Sequence, residues 1–161
     1  MKNKAVKGIT LGCIVALMFA CNSKKEEAVA PVIDKEQIKK EIQAKEDEFA
    51  ALYNASELKD IGYYADDATT FYQNREPMVG KEAIVAFLKS GLDSNSNKIS
   101  FITNEVFPSN DGDQVVEVGS YKVVDSANTA INTGNYMVLF VKRNGKYFSL
   151  REMSASDMPF K

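Results

Sequence analysis

The sequence predicts a single α+β domain in which three N-terminal helices pack on an antiparallel sheet. Three observations predict it. Apolar residues recur at helical spacing between residues 34 and 90. From Lys98 onward the chain turns to long runs rich in β-branched and aromatic residues. The segments between those runs are rich in Gly, Asn, Asp and Ser, the residues of tight turns. Helices first and a strand meander afterwards place the helices on one face of the sheet.

Residues 1–20 read as an address and not as part of that domain. Lys2, Lys4 and Lys7 form a basic start with no acid, and residues 9–20 are apolar. Such a stretch is too short to span a bilayer as a mature helix. It ends in Leu17-Met18-Phe19-Ala20-Cys21. This resembles a bacterial lipoprotein signal, which implies cleavage before Cys21 and lipidation of that cysteine. An ordinary signal peptide with a chance cysteine is the other reading. Residues 21–33 are polar, then carry no helix or strand period, and read as a flexible tether. Lys25-Glu26-Glu27 resembles the surface-export signal of Bacteroidetes lipoproteins, which implies a lipid-anchored cell-envelope protein exposed on the outer membrane.

Composition excludes several chemistries. Loss of residues 1–20 leaves 17 basic against 22 acidic residues, a net charge of −5. No basic stripe appears, so no nucleic-acid partner is expected. Cys13 leaves with the signal and Cys21 carries lipid, so neither a disulfide nor a thiol nucleophile remains. The chain has no histidine. Ser-His-Asp hydrolysis and His-ligated metal sites are therefore ruled out. A general base would have to be a carboxylate, a lysine or a tyrosine.

Each element has its own signal. Asp34 and Gln37 have capping-box spacing, and Ile38, Ile42, Phe49, Leu52 and Tyr53 share one face of the first helix. Ser56 caps a short second helix with Leu58, Ile61, Tyr64 and Ala65 on its apolar side. Residues 69–72 form a strand and residues 74–77 a turn. Residues 81–90 form the third helix, with Gly91 as its stop. Strands follow over residues 99–107, 114–124, 131–142 and 146–153, the last two joined by an Asn144-Gly145 hairpin. The domain is expected over residues 34–161.

The run Tyr64-Ala65-Asp66-Asp67-Ala68-Thr69, followed by Gly80-Lys81-Glu82-Ala83-Ile84, resembles the nuclear-transport-factor-2-like superfamily. That superfamily includes ketosteroid isomerases and SnoaL-like cyclases. The resemblance covers about residues 34 to 158 and implies a cone-shaped fold with a curved sheet and a built-in pocket. Ketosteroid isomerases carry a catalytic carboxylate on the strand after such a run; here Tyr72 stands at that place. Their helix-one tyrosine falls near Phe49, and their late-strand acid falls between Asn135 and Met137, where no acid exists. The resemblance therefore implies the scaffold without the isomerase chemistry.

Candidate site residues follow from charge and aromatic placement. Phe49, Tyr53, Tyr64, Tyr72 and Tyr136 are the aromatic candidates for a pocket lining suited to an apolar ligand with a polar handle. Glu117 and Arg151 lie inside apolar strand runs. Such charges either pair inside a cavity or face solvent, and the wet face of an antiparallel sheet is the plainer expectation. The Asp66–Asp67 pair reads as bonding nearby backbone N–H groups. Residues 93–97 start like a calcium loop but lack its glycine, and read as an ordinary loop. Asp125-Ser126-Ala127 resembles a Bacteroidetes O-glycosylation motif, which makes Ser126 a candidate acceptor.

The expected function is non-catalytic binding of a small molecule or partner by a lipid-anchored SnoaL-like domain, with no cofactor, no metal and unassigned catalytic residues. Two other readings stay open. One is an isomerase, cyclase or hydratase acting on a small apolar carbonyl compound. The other is an assembly domain that forms a homodimer through its sheet.

Overall fold

The computed structural model describes residues 33–92 and 96–159. The expected signal and residues 21–32 of the expected tether, Cys21 included, lie outside the described residues, as do residues 93–95 of the loop after α2.

Helix α1 (Lys35–Asn54) starts where Asp34 caps it, Oδ1 accepting from the Gln37 backbone N–H at 2.9 Å. The reciprocal half of the capping box is not made, because the Gln37 side chain donates to Glu41 at 3.1 Å. One stripe of α1 is buried: Ile38, Ile42, Glu46 and Phe49. Strand β1 (Tyr64–Phe71), the two-residue β2 (Met78–Val79) and helix α2 (Lys81–Leu92) follow. Then come β3 (Lys98–Pro108), β4 (Gln114–Val124), β5 (Ala130–Arg143) and β6 (Lys146–Ser156). The six strands form one sheet in the order β2-β1-β6-β5-β4-β3.

Three expectations need correction. Among the described residues there are two α-helices and not three. The expected second helix is a single 3₁₀ turn at Leu58–Asp60, and Tyr64 and Ala65 already begin β1. The spacing of Leu58, Ile61, Tyr64 and Ala65 misled because all four are buried, on a tight turn and an incoming strand. Residues buried on more than one side lose the periodicity that separates helix from strand. The sheet is also mixed, since β1 runs parallel to β6 and all other pairs are antiparallel. Helix α2, finally, runs through Gly91 to Leu92.

The Asn144-Gly145 hairpin forms as expected, both residues with positive φ (53° and 77°), as a type I′ turn requires. Register slips bend the sheet. Leu139 pairs with Arg151 but Phe140 with Ser149, so Leu150 is an extra residue in β6. A second slip in β3 leaves Asn104 unpaired between Thr103 and Glu105.

Two glycines shape the inner face. Gly119 lies opposite Tyr136, and Gly134 lies opposite Tyr121. A Cβ at Gly119 would come within 2.2 Å of the Tyr136 ring, and one at Gly134 within 2.5 Å of the Tyr121 ring. Both tyrosine rings therefore lie across glycine backbone, a packing that only the missing side chain permits.

Helix α1 also closes the edge strand β3. Asn54 donates to Ile99 O at 2.9 Å and accepts from Ile99 N at 2.8 Å. Gln43 accepts from Thr103 N at 2.8 Å, and Lys39 donates to Asn104 O at 2.7 Å. These side chains satisfy backbone groups that an open edge would offer to another chain. The opposite, outer face of the sheet carries exposed Phe71, Met137 and Met153, which are cross-strand neighbours.

Candidate functional site

The inner face of the sheet and the two helices enclose an acidic, aromatic interior. Glu46 enters it from α1, Glu117 from β4 and Glu152 from β6. Glu46 and Glu117 are as buried as the core leucines and isoleucines. Tyr63 Oη donates to Glu46 Oε1 at 2.5 Å. Thr103 Oγ1 and Tyr136 Oη both donate to Glu117 Oε1, at 2.6 and 2.9 Å. Glu46 and Glu117 lie within hydrogen-bonding reach of each other. Tyr64 Oη lies within hydrogen-bonding reach of Glu152, whose Oε2 is buried and has no partner.

Electrostatics follow from this enclosure. Burial is the main cause that raises all three carboxyls above the ordinary glutamate range. The charge of Glu117 lifts Glu46 further, and Glu152 is pushed up to about 7. Glu117 Oε2 has no donor among the protein's own fixed hydrogens. A proton held between Glu117 and Glu46 supplies one and removes one of two adjacent buried charges. Tyr63, Tyr64, Tyr72 and Tyr136 are all raised by burial first and by these carboxylates second, so they remain neutral donors.

Above this floor lies a cavity of about 280 Å³. Phe49 and Tyr53 of α1, Phe87 and Leu88 of α2, and Ile99 and Phe101 of β3 form one side. Tyr72, Tyr121, Asn132, Tyr136, Glu152 and Ser154 form the rest. Phe101 meets Tyr136 edge-on with centroids 5.5 Å apart, and Tyr72 meets Phe87 at 5.1 Å. Such tilted contacts fix ring positions without filling the space between them.

The candidates read from sequence divide cleanly. Phe49, Tyr53, Tyr72 and Tyr136 line the cavity. Tyr64 lies beneath it, buried and within hydrogen-bonding reach of Glu152. Glu117 faces inward, against the plainer expectation of a wet face, and is fully buried. Arg151 is not brought to them. It is exposed and donates to Asp67 O at 3.0 Å and Leu150 O at 2.6 Å. The extra residue Leu150 is the reason: the slip sends Glu152 to the inner face and Arg151 to the outer one. Asp67 is exposed and bonds Arg143 through both oxygens, at 2.7 and 3.1 Å, where nearby backbone N–H partners were expected. Ser126 lies exposed in a turn that Asp125 organises by accepting from the Ala127 and Thr129 N–H groups.

Glu46 and Glu152 are the functional side chains that the sequence reading passed over. Glu46 carried a signal, since it stands four residues after Ile42 and three before Phe49, inside the apolar stripe. Among the described residues no group of three or more acids converges as metal ligands. The arrangement can hold a polar group of a bound molecule at Glu152, or take a proton from one.

Solved structures with this architecture are many, at low identity. A domain of unknown function with a cystatin-like fold from Nostoc punctiforme is 11% identical, with 78% of each chain covered and a TM-score of 0.66. An NTF2-like protein with a cystatin-like fold from Novosphingobium aromaticivorans is 13% identical, covering 74% of this chain and 82% of that one, with a TM-score of 0.64. A ketosteroid isomerase-like protein from Erwinia carotovora is 16% identical, covering 75% and 97%, with a TM-score of 0.59. No family model and no curated protein matches the sequence. The chain has the cystatin-like, NTF2-like fold, and likeness at this identity extends to the fold alone.

The charge states predict a pH-dependent stability. Because the folded Glu152 carboxyl is raised from 4.5 to about 7, its stabilising contribution is complete below about 4.5 and lost as pH rises through about 7. The loss amounts to roughly 3 kcal/mol at most. Urea unfolding at a series of pH values should show wild type losing more stability across this window than Glu152→Gln. Equal slopes in the two proteins would contradict the assignment.

Proposed function

We propose that this chain is a lipid-anchored cell-envelope protein whose cone binds a small, largely apolar molecule with one polar handle. The observation that carries the reading is the aromatic-lined cavity whose lining includes one carboxylate, Glu152, with an unpartnered oxygen. Ligand cavities combine a mostly apolar wall with a few convergent polar groups, and this one fits that description. An apolar cavity of about 150 Å³ holds benzene, so one of about 280 Å³ has room for a larger ring system with a short substituent. The three isomerase roles stay unfilled at Phe49, Tyr72 and residues 135–137, which favours binding over that chemistry.

Indole, a neutral ring with one N–H donor, is a suitable probe. At about ten times its Kd it should stabilise the fold by about 1.4 kcal/mol, or about 4 °C in Tm. Leu88→Trp, which fills the cavity from α2, should abolish that shift. An indole shift of the same size in both proteins, or none in wild type, would sink the binding reading. The anchor is tested separately by Cys21→Ser, which should release the protein from the membrane fraction; unchanged retention means that Cys21 does not carry the anchor.

A further inference from the structure

We propose that the cavity takes an organic cation: an amine or quaternary ammonium group on a small apolar body, its charge held at Glu152 among the aromatic rings. The proposal rests on the binding reading above and names the ligand class.

Four observations carry it. First, Glu152 lines the cavity with Oε2 buried and without a partner. An enclosed carboxylate needs either a proton or a positive partner, because burying an unpaired charge is costly. Second, the described residues supply no positive partner in the cavity. No lysine or arginine lines the cavity. The titratable groups that face Glu152 are Glu46 from α1, Tyr63 just before β1, Tyr64 from β1, Tyr72 just after it and Glu117 from β4. Arg151, its chain neighbour, is committed to backbone carbonyls on the other face. Arg75 is exposed and stacks on the Phe87 ring at 5.0 Å.

Third, the wall is built of aromatic rings, Tyr53, Tyr72, Phe87, Phe101 and Tyr136 among them. Ring faces attract cations, and more strongly where water is excluded. Fourth, the acids are not arranged to chelate. No set of three converges as ligands among the described residues, so a metal ion would lack its shell while an ammonium group needs none. Whenever Glu152 is ionised the interior holds a negative charge with no cation from the cavity wall beside it, and a bound cation offsets that charge.

The test compares benzyltrimethylammonium with neopentylbenzene, its neutral isostere, by calorimetric titration of the full chain. The ammonium should bind at least about tenfold tighter at about pH 8, as carboxylate and ring attraction together provide. Its charge does not titrate, so weakening by about tenfold towards pH 6 reports protonation of Glu152. Glu152→Gln should cut the preference for the charged probe to what the rings alone provide and remove its pH dependence. Equal or tighter binding of the neutral isostere overturns the proposal, as does a preference of undiminished size in Glu152→Gln. If neither probe binds but indole does, the cation class is wrong and the cavity reading stands. If none of the three binds, both fail. Should the variant not fold, the two probes and the pH series on wild type still decide.

Discussion

Three carboxyl groups enclosed in one aromatic interior, with no lysine or arginine among them in the described residues, set the terms for the rest of this structure. Two ionised acids in contact inside a protein would be strongly destabilising, and burial raises both Glu46 and Glu117 above the ordinary range, with the charge of Glu117 lifting Glu46 further. The neighbouring hydroxyls of Tyr63, Tyr136 and Thr103 then act as donors that fix the pair in place. Glu152 has a weaker hold, one tyrosine and one unpartnered oxygen, and its charge is correspondingly close to balance near neutral pH. A polar network that is only partly satisfied costs stability. The unsatisfied oxygen belongs to a residue that lines the cavity.

The scaffold is organised around that interior. Gly119 lets the Tyr136 ring cross the sheet so that its hydroxyl reaches Glu117. The extra residue at Leu150 turns Glu152 inward and sends Arg151 to join Asp67 and Arg143 on the outer side. Cations and acids that sit next to each other in the chain are thus separated by the sheet itself. The buried acids stand on α1, β4 and β6. The positions where the resemblance implies catalytic groups are filled by Phe49, Tyr72 and a neutral strand.

Much of the fold was legible because its signals are local. The Asp34 cap, the Asn144-Gly145 turn and the β3–β6 meander each depend on a few neighbouring residues. The 3₁₀ turn and the start of β1 were not, because burial on several sides erases the period that tells helix from strand. The site was legible in part. Aromatic residues at Phe49, Tyr53, Tyr72 and Tyr136 could be named, since a cone with this many rings must line its cavity with some. Glu46 was visible as an acid inside an apolar stripe, and the stripe was read without it. Glu152 was hidden by the bulge. Strand parity counted from Ser149 selects Arg151, and only the register with β5 shows that one residue must be skipped.

The character of the cavity depends on carboxyl groups whose protonation is set first by burial. Carbon-13 NMR of the glutamate side-chain carboxyls, followed from about pH 3 to pH 9, measures this directly. Glu152 should titrate near about 7, and Glu46 and Glu117 should move together above the ordinary range. If all three titrated independently near the ordinary 4.5, the interior would be wet and its acids unremarkably ionised, contradicting the enclosed, proton-sharing site.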